Sequence, residues 1–303
     1  MTDIAPSASE SRPVLVGIDG SDAGAQALVW AADEAERRGI ALHVAHAGDL
    51  APLPDLSPGG EDRAPDAASA YGRQLLADAI ATLAQDFPRL TVTATLREAN
   101  PAALLTELSG GAALLVVGTR GHHRLAGLLL GSVSQRVAGH AHCPVVLLNE
   151  RASDAAGDVV AGVSSSAAGR AALLLACEEA SLRGVGVRAV RSMAEPVYSL
   201  AQYEDLDLGG ERWRRCQREL LDECVAQAAA AYPDVKITPQ LVGAPAHLAL
   251  VDASAEAALL VVGCRRPEAT YLSRLGPVAS WLMHESPAPV ALAGQSLQTA
   301  PAE

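Results

Sequence analysis

The feature that most constrains the fold of this 303-residue chain is an internal repeat. The hexapeptide ALLVVG stands at residues 113–118 and again at 258–263, a displacement of 145 positions. The same displacement relates several other separated pairs: Gly17 with Gly162, Glu34 with Glu179, Arg38 with Arg183, Gly131 with Gly276, and Pro144 with Pro289. One offset shared by separated matches indicates a duplicated unit. We therefore expect two domains, at residues 1–150 and 151–303, with the seam in the polar stretch 150–158.

The charge and hydropathy of the chain argue against two classes of partner. The net charge is −12, and acidic residues outnumber basic ones in both halves, so we expect no nucleic-acid groove. No apolar run approaches the roughly 18 residues of a membrane span, and the polar start of the chain differs from a secretory signal. Lys236 is the only lysine, so phosphate contacts must come from backbone amides, hydroxyls or arginines.

The cysteine pattern points to a reducing compartment. The five cysteines are scattered and contain no C-x-x-C pair, which is typical of neither a zinc site nor a disulfide framework. We expect buried, reduced thiols, no metal site and a cytoplasmic protein.

Each copy of the repeat alternates strand and helix patterns. In the first copy we predict strands at 13–19, 41–47, 90–98, 113–118 and 144–148, and helices at 22–39, 67–87, 101–110 and 131–141. Ser21 or Asp22 is the expected N-cap of the first helix, and Gly39 its end. This order predicts an α/β fold with two tandem copies of a doubly wound five-stranded parallel sheet and flanking helices. Ligands bind such sheets beyond the carboxyl ends of the strands.

A glycine- and serine-rich turn follows the ALLVVG strand. Its spacing, G-x-x-G-x9-G-S-x-S, runs from Gly118 through Gly121 and Gly131 to Ser132 and Ser134. A strand, such a turn and then a helix can present backbone N–H groups to an anion at the helix N-terminus. The turn contains neither the G-K-[ST] of a P-loop nor the G-x-G-x-x-G of a dinucleotide turn.

This spacing, together with VGIDGS at 16–21 and CPVVLL at 143–148, resembles the universal stress protein family in its tandem two-domain form. The resemblance implies the adenine-nucleotide α-hydrolase-like fold and ATP as the ligand, with Mg²⁺ as a further candidate. It places Gly17, Ile18, Asp19 and Ala47 near adenine and ribose. It places Val117 and Gly118 near ribose and α-phosphate, Arg120 and Gly121 on the phosphate chain, and Gly131, Ser132, Val133 and Ser134 around the β- and γ-phosphates.

The residues themselves leave a second interpretation open. A carboxylate at a strand end, such as Asp19, can accept hydrogen bonds from ribose hydroxyls, but it can equally cap a turn. The glycines can admit a phosphate, but they can also relieve crowding. Arg120 and Arg124 in the turn can complement a triphosphate, whereas His122 and His123 are expected to be solvated loop residues.

The second copy departs from the first at the proposed ligand positions. Ser164 replaces Asp19, Arg266 replaces Gly121, Pro277 replaces Ser132 and Ala279 replaces Ser134. Proline has no N–H to donate. We therefore expect the second domain to bind ATP weakly or not at all. Tyr198, Tyr203 and Trp213 are expected core residues that can alternatively line a different pocket, and residues 211–232 are expected to form a largely solvated helix.

Three functional hypotheses follow. The first is a nucleotide-binding regulatory module in the stress response. The second is a slow ATP hydrolase, but an enzyme of the α-hydrolase type would need an S-G-G-x-D-S loop where this chain has GSDAG. The third is an interaction protein with a vestigial pocket. The resemblance also implies that the terminal strands pair the two domains as a pseudo-dimer, with a homodimer as a further candidate assembly.

Overall fold

A computed structural model describes residues 12–48, 65–119, 131–149, 155–193, 211–264 and 275–294. In the first half these form the strands β1 (Val14–Gly17), β2 (Leu42–Gly48), β3 (Val92–Glu98), β4 (Leu114–Gly118) and β5 (Val145–Leu148). The helices of this half are α1 (Asp22–Arg38), α2 (Pro65–Asp86), α3 (Pro101–Leu108) and α4 (Ser132–His140), and a 3-10 turn (Ser109–Gly111) follows α3.

The second half repeats this order within the described residues. Its strands are β6 (Val159–Gly162), β7 (Val187–Ser192), β8 (Ile237–Val242), β9 (Leu259–Gly263) and β10 (Val290–Ala293). Its helices are α5 (Ala167–Arg183), α6 (Glu211–Ala231), α7 (Ala246–Ala253) and α8 (Pro277–Glu285). Among all the residues that the structure describes, in both halves, no helix is long and apolar enough to cross a membrane.

The strands form one ten-stranded sheet in the order β3-β2-β1-β4-β5-β10-β9-β6-β7-β8. Pairing is parallel within each half, as predicted, and only the central pair β5–β10 is antiparallel. In that pair Val146 lies opposite Ala291, its own counterpart in the repeat. A local pseudo-twofold axis therefore passes between these two residues, and the expected pairing of the terminal strands is observed.

Local sequence signals set the helix ends in both halves. Ser21 caps α1 by accepting a hydrogen bond from Gly24 N, and Ser166 caps α5 in the same way through Gly169 N. Gly39 and Gly184 end the same two helices with φ of 63° and 66°, a left-handed conformation that favours glycine. The predicted N-cap and end of the first helix are thus confirmed.

Helices cover both faces of the sheet. One apolar layer lies under α1, α2, α5 and α6, and the other lies under α3, α4, α7 and α8. Each layer continues from one half into the other because β5 and β10 join the two halves into a single sheet. The carboxyl ends of β1, β2 and β4 consequently lie at one edge of the first half, where the candidate site is found.

The two halves also meet through charged side chains of α1 and α5. Glu34, Arg38, Glu179 and Arg183 form what we call the interdomain charge cluster, in which each arginine contacts both glutamates. The guanidinium of Arg183 also stacks on the Trp30 ring, with its carbon 5.6 Å from the ring centre. The cluster occupies equivalent positions of the two repeats, so it follows the same pseudo-twofold symmetry.

Candidate functional site

The end of β1 carries the first group of predicted site residues, Gly17, Ile18 and Asp19. Asp19 is half-buried, and its Oδ1 accepts hydrogen bonds from Ser21 N at 3.0 Å and from Ser21 Oγ at 2.6 Å. Its other oxygen, Oδ2, has no hydrogen-bond partner within the described ranges. Asp19 therefore caps the turn into α1 with one oxygen and has the other available for a ligand hydroxyl.

Strands β1 and β4 run side by side, so Gly17 and Gly118 reach the same crevice. Gly17 pairs with Val117 in the parallel register. A Cβ added to Gly118 would stand 2.8 Å from the carbonyl oxygen of Ala23, in the first turn of α1, and one added to Gly17 would stand 2.7 Å from Cδ1 of Leu105. Both glycines thus permit close packing of helices on the strand ends. Val117 is 4% exposed, which leaves only its backbone for contact with a ligand.

The N-terminus of α4 is anchored to the end of β4. Gly131, the N-cap, donates from its amide to the carbonyl of Thr119 at 2.8 Å. The first intrahelical bond runs from Gln135 N to Gly131 O at 3.1 Å. The amides of Ser132, Val133 and Ser134 precede that bond and have no acceptor among the described residues, and the helix dipole is positive at this end.

The two serines of this turn differ in their surroundings. Ser132 is exposed, so its hydroxyl can contact a ligand. Ser134 is 2% exposed, and its hydroxyl lies 2.9 Å from the carbonyl oxygen of Gly131 and 3.3 Å from that of Thr119. The Ser134 side chain thus holds α4 against β4. Sequence reasoning missed Thr119, whose carbonyl accepts from the Gly131 amide and from the Ser134 hydroxyl.

Ala47 lies near the carboxyl end of β2, at the same edge of the sheet. Its strand pairs with β1 so that Gly17 lies beside Ala45, which places Ala47 two residues further toward the crevice. The neighbouring His46 is buried and donates from Nδ1 to the carbonyl of Ile18 at 2.8 Å. Sequence reasoning missed this contact. The available signal was the presence of His46, one of two histidines in the predicted strand at 41–47.

Part of the predicted site lies outside the described residues. This applies to Arg120 and Gly121, to the neighbouring His122, His123 and Arg124, and, in the second half, to Arg266, Tyr198 and Tyr203. Trp213 is described: it is half-buried at the start of α6 and donates from Nε1 to the carbonyl of Met193 at 3.3 Å.

The equivalent edge of the second half has different chemistry. The hydroxyls of Ser164 and Ser166 are hydrogen-bonded at 2.8 Å, which reproduces the Asp19 turn without its carboxylate. Pro277 is the first residue of α8, a position where proline is compatible with a helix but leaves one amide donor fewer. Ala279 is buried in place of Ser134. The start of α8 therefore has fewer donor groups for an anion than the start of α4.

Comparison with known proteins places these features in a family. The model of the universal stress protein family matches residues 10–149 and again 157–293. A universal stress protein of Mycobacterium tuberculosis is 32% identical over 305 aligned positions, covering 96% of this chain and 99% of that protein. One from Mycobacterium bovis is also 32% identical, covering 93% and 97% of the two chains.

Solved structures show the same architecture. The crystal structure of a universal stress protein from Archaeoglobus fulgidus aligns with a TM-score of 0.65 at 16% identity, covering 94% of this chain and 99% of that one. A smaller universal stress protein from the same organism was solved in complex with dAMP; it is 24% identical, covers 45% of this chain and 97% of its own, and aligns with a TM-score of 0.34.

Proposed function

Because the chain belongs to the universal stress protein family, with the family's domain present twice, we propose that its first domain binds an adenine nucleotide, ATP being the candidate. Binding serves regulation: the nucleotide biases the conformation of the protein or its contact with a partner in a stress response. The proposal is for a cytoplasmic protein. All five cysteines fall among the described residues and none forms a disulfide, as expected of a reducing compartment; four are buried as predicted, whereas Cys216 is exposed.

The observation that carries the proposal is the N-terminus of α4, whose first amides have no acceptor in the part of the chain that the structure describes. Three consecutive amides, at Ser132, Val133 and Ser134, precede the first intrahelical bond, and the Ser132 hydroxyl is exposed beside them. Amides at a helix N-terminus bind phosphate oxygens because they combine unsatisfied donors with the positive end of the helix dipole. A phosphate contact by such groups suits a chain whose only lysine, Lys236, lies in the other half.

The remaining site residues fit around a nucleotide whose phosphates lie at α4. Asp19 accepts from ribose hydroxyls through Oδ2, and the backbone of Gly17 and Ile18, with Ala47 beyond them on β2, borders adenine. Val117 and Gly118 contribute backbone at the ribose and α-phosphate. Gly131 and Ser134 contribute backbone, since the Ser134 hydroxyl is already bonded to main-chain carbonyls. The proposed contacts to the phosphate chain also include Arg120 and Gly121.

The second domain is proposed to bind ATP weakly or not at all. Pro277 removes one of the three amide donors at the start of α8, and Ser164 has no carboxylate for ribose. We expect one ATP per chain, and a stoichiometry near two would contradict this assignment. Pairing of two chains as a homodimer is a further part of the proposal, and the acidic net charge of −12 argues against nucleic acid as the partner.

The test is a single substitution copied from the second repeat. In Ser132→Pro the first domain loses one amide and the exposed hydroxyl, while proline at the first helical position preserves α4. We expect purified parent protein to release nucleotide on denaturation and to bind one ATP in calorimetry, with and without Mg²⁺. Ser132→Pro should bind at least about tenfold more weakly, which corresponds to about 1.4 kcal/mol for lost charge-assisted hydrogen bonds.

The matched control is Pro277→Ser, which makes the reverse change in the second domain. This variant should still bind one nucleotide per chain. Parent protein that binds no ATP at millimolar concentration would contradict the proposal and favour an interaction protein with a vestigial pocket. Accumulation of ADP during the assay would favour the slow-hydrolase alternative. Equal affinity of parent and Ser132→Pro would contradict the role given to α4.

A further inference from the structure

A buried arginine lies near the carboxyl end of β7 in the second domain. Arg191 is 9% exposed. Its Nε donates to Oε1 of Gln217 on α6 at 2.8 Å, and its Nη1 donates to the carbonyl of Val163, just beyond β6, at 3.5 Å. The guanidinium is thus held between the strand end and α6, at the same edge of the sheet as the candidate site of the first domain.

The charge of Arg191 has no carboxylate partner in the part of the chain that the structure describes. Both of its hydrogen-bond acceptors are neutral, an amide and a backbone carbonyl. A guanidinium has five N–H donors, and these two contacts leave its Nη2 edge without an acceptor among the described residues. Burial lowers the pKa of Arg191, as expected for a cation without a counter-charge. The Nη2 atom is not among the fully buried atoms without a partner, so an anion can reach it and supply a counter-charge.

A second arginine, Arg170, acts electrostatically on the same thiol of α6 as Arg191 does. Burial raises the pKa of the Cys224 thiol on α6, and the nearby guanidinium groups of Arg170 and Arg191 oppose that rise. Arg170, on α5, bonds to the carbonyl of Ser165 at 2.7 Å, again a neutral acceptor. The acidic side chain near Cys224, Glu223, is exposed and accepts from Gln227 at 3.4 Å. Two arginines whose hydrogen-bond partners are neutral therefore act electrostatically on one thiol.

The first domain shows that the fold does not require an arginine here. At the equivalent positions His46 stands for Arg191, Gly72 for Gln217, Ala25 for Arg170 and Ala79 for Cys224. His46 makes the same contact with the strand end, a hydrogen bond to the carbonyl of Ile18 at 2.8 Å. The cationic character is therefore specific to the second domain, which is also the domain that has lost the phosphate-binding groups of α4.

We propose that the second domain binds a small oxyanion, a carboxylate or a phosphate group of a small molecule, through the Nη2 edge of the Arg191 guanidinium. Gln217 and the Val163 carbonyl hold the guanidinium so that its remaining N–H donors form a fork. Such a fork matches the two oxygens of a carboxylate or phosphate. The two domains thus bind different ligands, and this site is independent of the nucleotide proposed for the first domain.

The test measures anion binding by calorimetry on the full chain in the Ser132→Pro background, in which phosphate binding at α4 is weakened. Inorganic phosphate and succinate are titrated separately at constant ionic strength, which tells a phosphate site from a carboxylate site. We expect one anion per chain. Arg191→His should weaken binding at least roughly tenfold, because it removes the charged fork. This variant should fold, because histidine makes the same strand-end contact in the first domain.

The matched control is Arg188→Gln, which removes one positive charge from the same strand but from its opposite face, where Arg188 donates to the carbonyl of Ala253 at 2.6 Å. It should keep the parent affinity. Arg191→Lys should bind with intermediate affinity, since it keeps the charge and loses the fork. The proposal is overturned if neither anion binds, or if Arg191→His binds as tightly as the control.

Discussion

Glu34 of the first domain and Arg183 of the second are 149 residues apart in the chain, yet their side chains form an ion pair at 2.7 Å. The reverse pair, Arg38 with Glu179, completes the interdomain charge cluster. Glu34 and Glu179 are at most 1% exposed. Because each glutamate is held by one arginine from its own helix and one from the other domain, the cluster couples the internal order of α1 and α5 to the docking of the domains.

Removing one charge of this cluster should destabilise the whole chain. Glu34→Gln leaves Arg38 and Arg183 facing each other with one carboxylate fewer in a dry site. We expect a loss of about 3 kcal/mol in the free energy of unfolding, the scale found when one partner of a buried ion pair is removed. Urea unfolding followed by circular dichroism measures it. Glu36→Gln, an exposed change on the same helix, should stay within about 0.5 kcal/mol of the parent; equal effects of the two would contradict the prediction.

The cluster should also make stability depend on pH. Burial, together with the neighbouring Glu34, raises the pKa of Glu179 from its ordinary 4.5 to about 7, against the opposing effect of Arg183 and Arg38. The folded chain therefore binds more protons than the unfolded chain between these two values. The resulting stabilisation is fully present below about pH 4.5 and is lost as the pH rises through about 7, with a slope of at most about 1.4 kcal/mol per pH unit.

Urea titrations of the parent and Glu179→Gln at half-unit steps from pH 5 to pH 8 isolate this contribution. The parent should lose stability relative to the variant up to about pH 7, and the difference should then become constant. Parallel curves over the whole range would show that Glu179 has the same pKa in the folded and unfolded chains. The exposed variant Glu36→Gln should retain the pH dependence of the parent.

Gly118 should be required for the stability of the folded chain even when no ligand is bound. A Cβ at this position would stand 2.8 Å from the carbonyl oxygen of Ala23, so α1 must shift in Gly118→Ala. We expect a loss of about 1–3 kcal/mol, the usual cost of overpacking, in protein free of nucleotide. Gly111→Ala meets nothing within 4 Å and should be nearly neutral. Thermal unfolding of both variants compares them, and a neutral Gly118→Ala would mean that the glycine is not required for packing.

The first domain alone should form a homodimer. A chain of residues 1–150 would expose the edge of β5 that now pairs with β10, and Val146 would lie opposite its own copy instead of Ala291. Glu34 and Arg38 would find the same residue types across the axis, because Glu179 and Arg183 are their repeats. Light scattering after gel filtration measures the mass. Arg38→Glu should give monomers, and Arg73→Glu, an exposed change on α2, should not; a monomeric parent fragment would contradict this expectation.

Several features of the fold could be predicted because their causes lie within a few residues. The caps at Ser21 and Gly39, the alternation of strands and helices, and the repeat at a constant offset are all local patterns, and the structure confirms them. The pairing of the terminal strands followed from the family resemblance. The turn residues Ser132 and Ser134 were identified by spacing, but spacing could not show that one hydroxyl is exposed and the other bonded to backbone.

Other features could not be predicted from the sequence because they depend on distances between residues that are remote in the chain. Glu34 and Arg38 were recognised only as repeat matches, and nothing local indicated that they meet Glu179 and Arg183. In the strand VRAVRS at 187–192, nothing distinguishes Arg188 from Arg191. Only the packing of α6 on β7 buries Arg191 beside Gln217.

The sequence by itself therefore determined the duplicated unit, the order of its elements and the absence from the second copy of the residues proposed to bind phosphate, since each is written in adjacent residues or in one constant offset. The tertiary structure alone decided that the two units share one sheet about a pseudo-twofold axis, that ion pairs between α1 and α5 join them, and that Arg191 is buried without a described carboxylate partner. Charge burial and pairing depend on what the folded chain brings together, which no local pattern encodes.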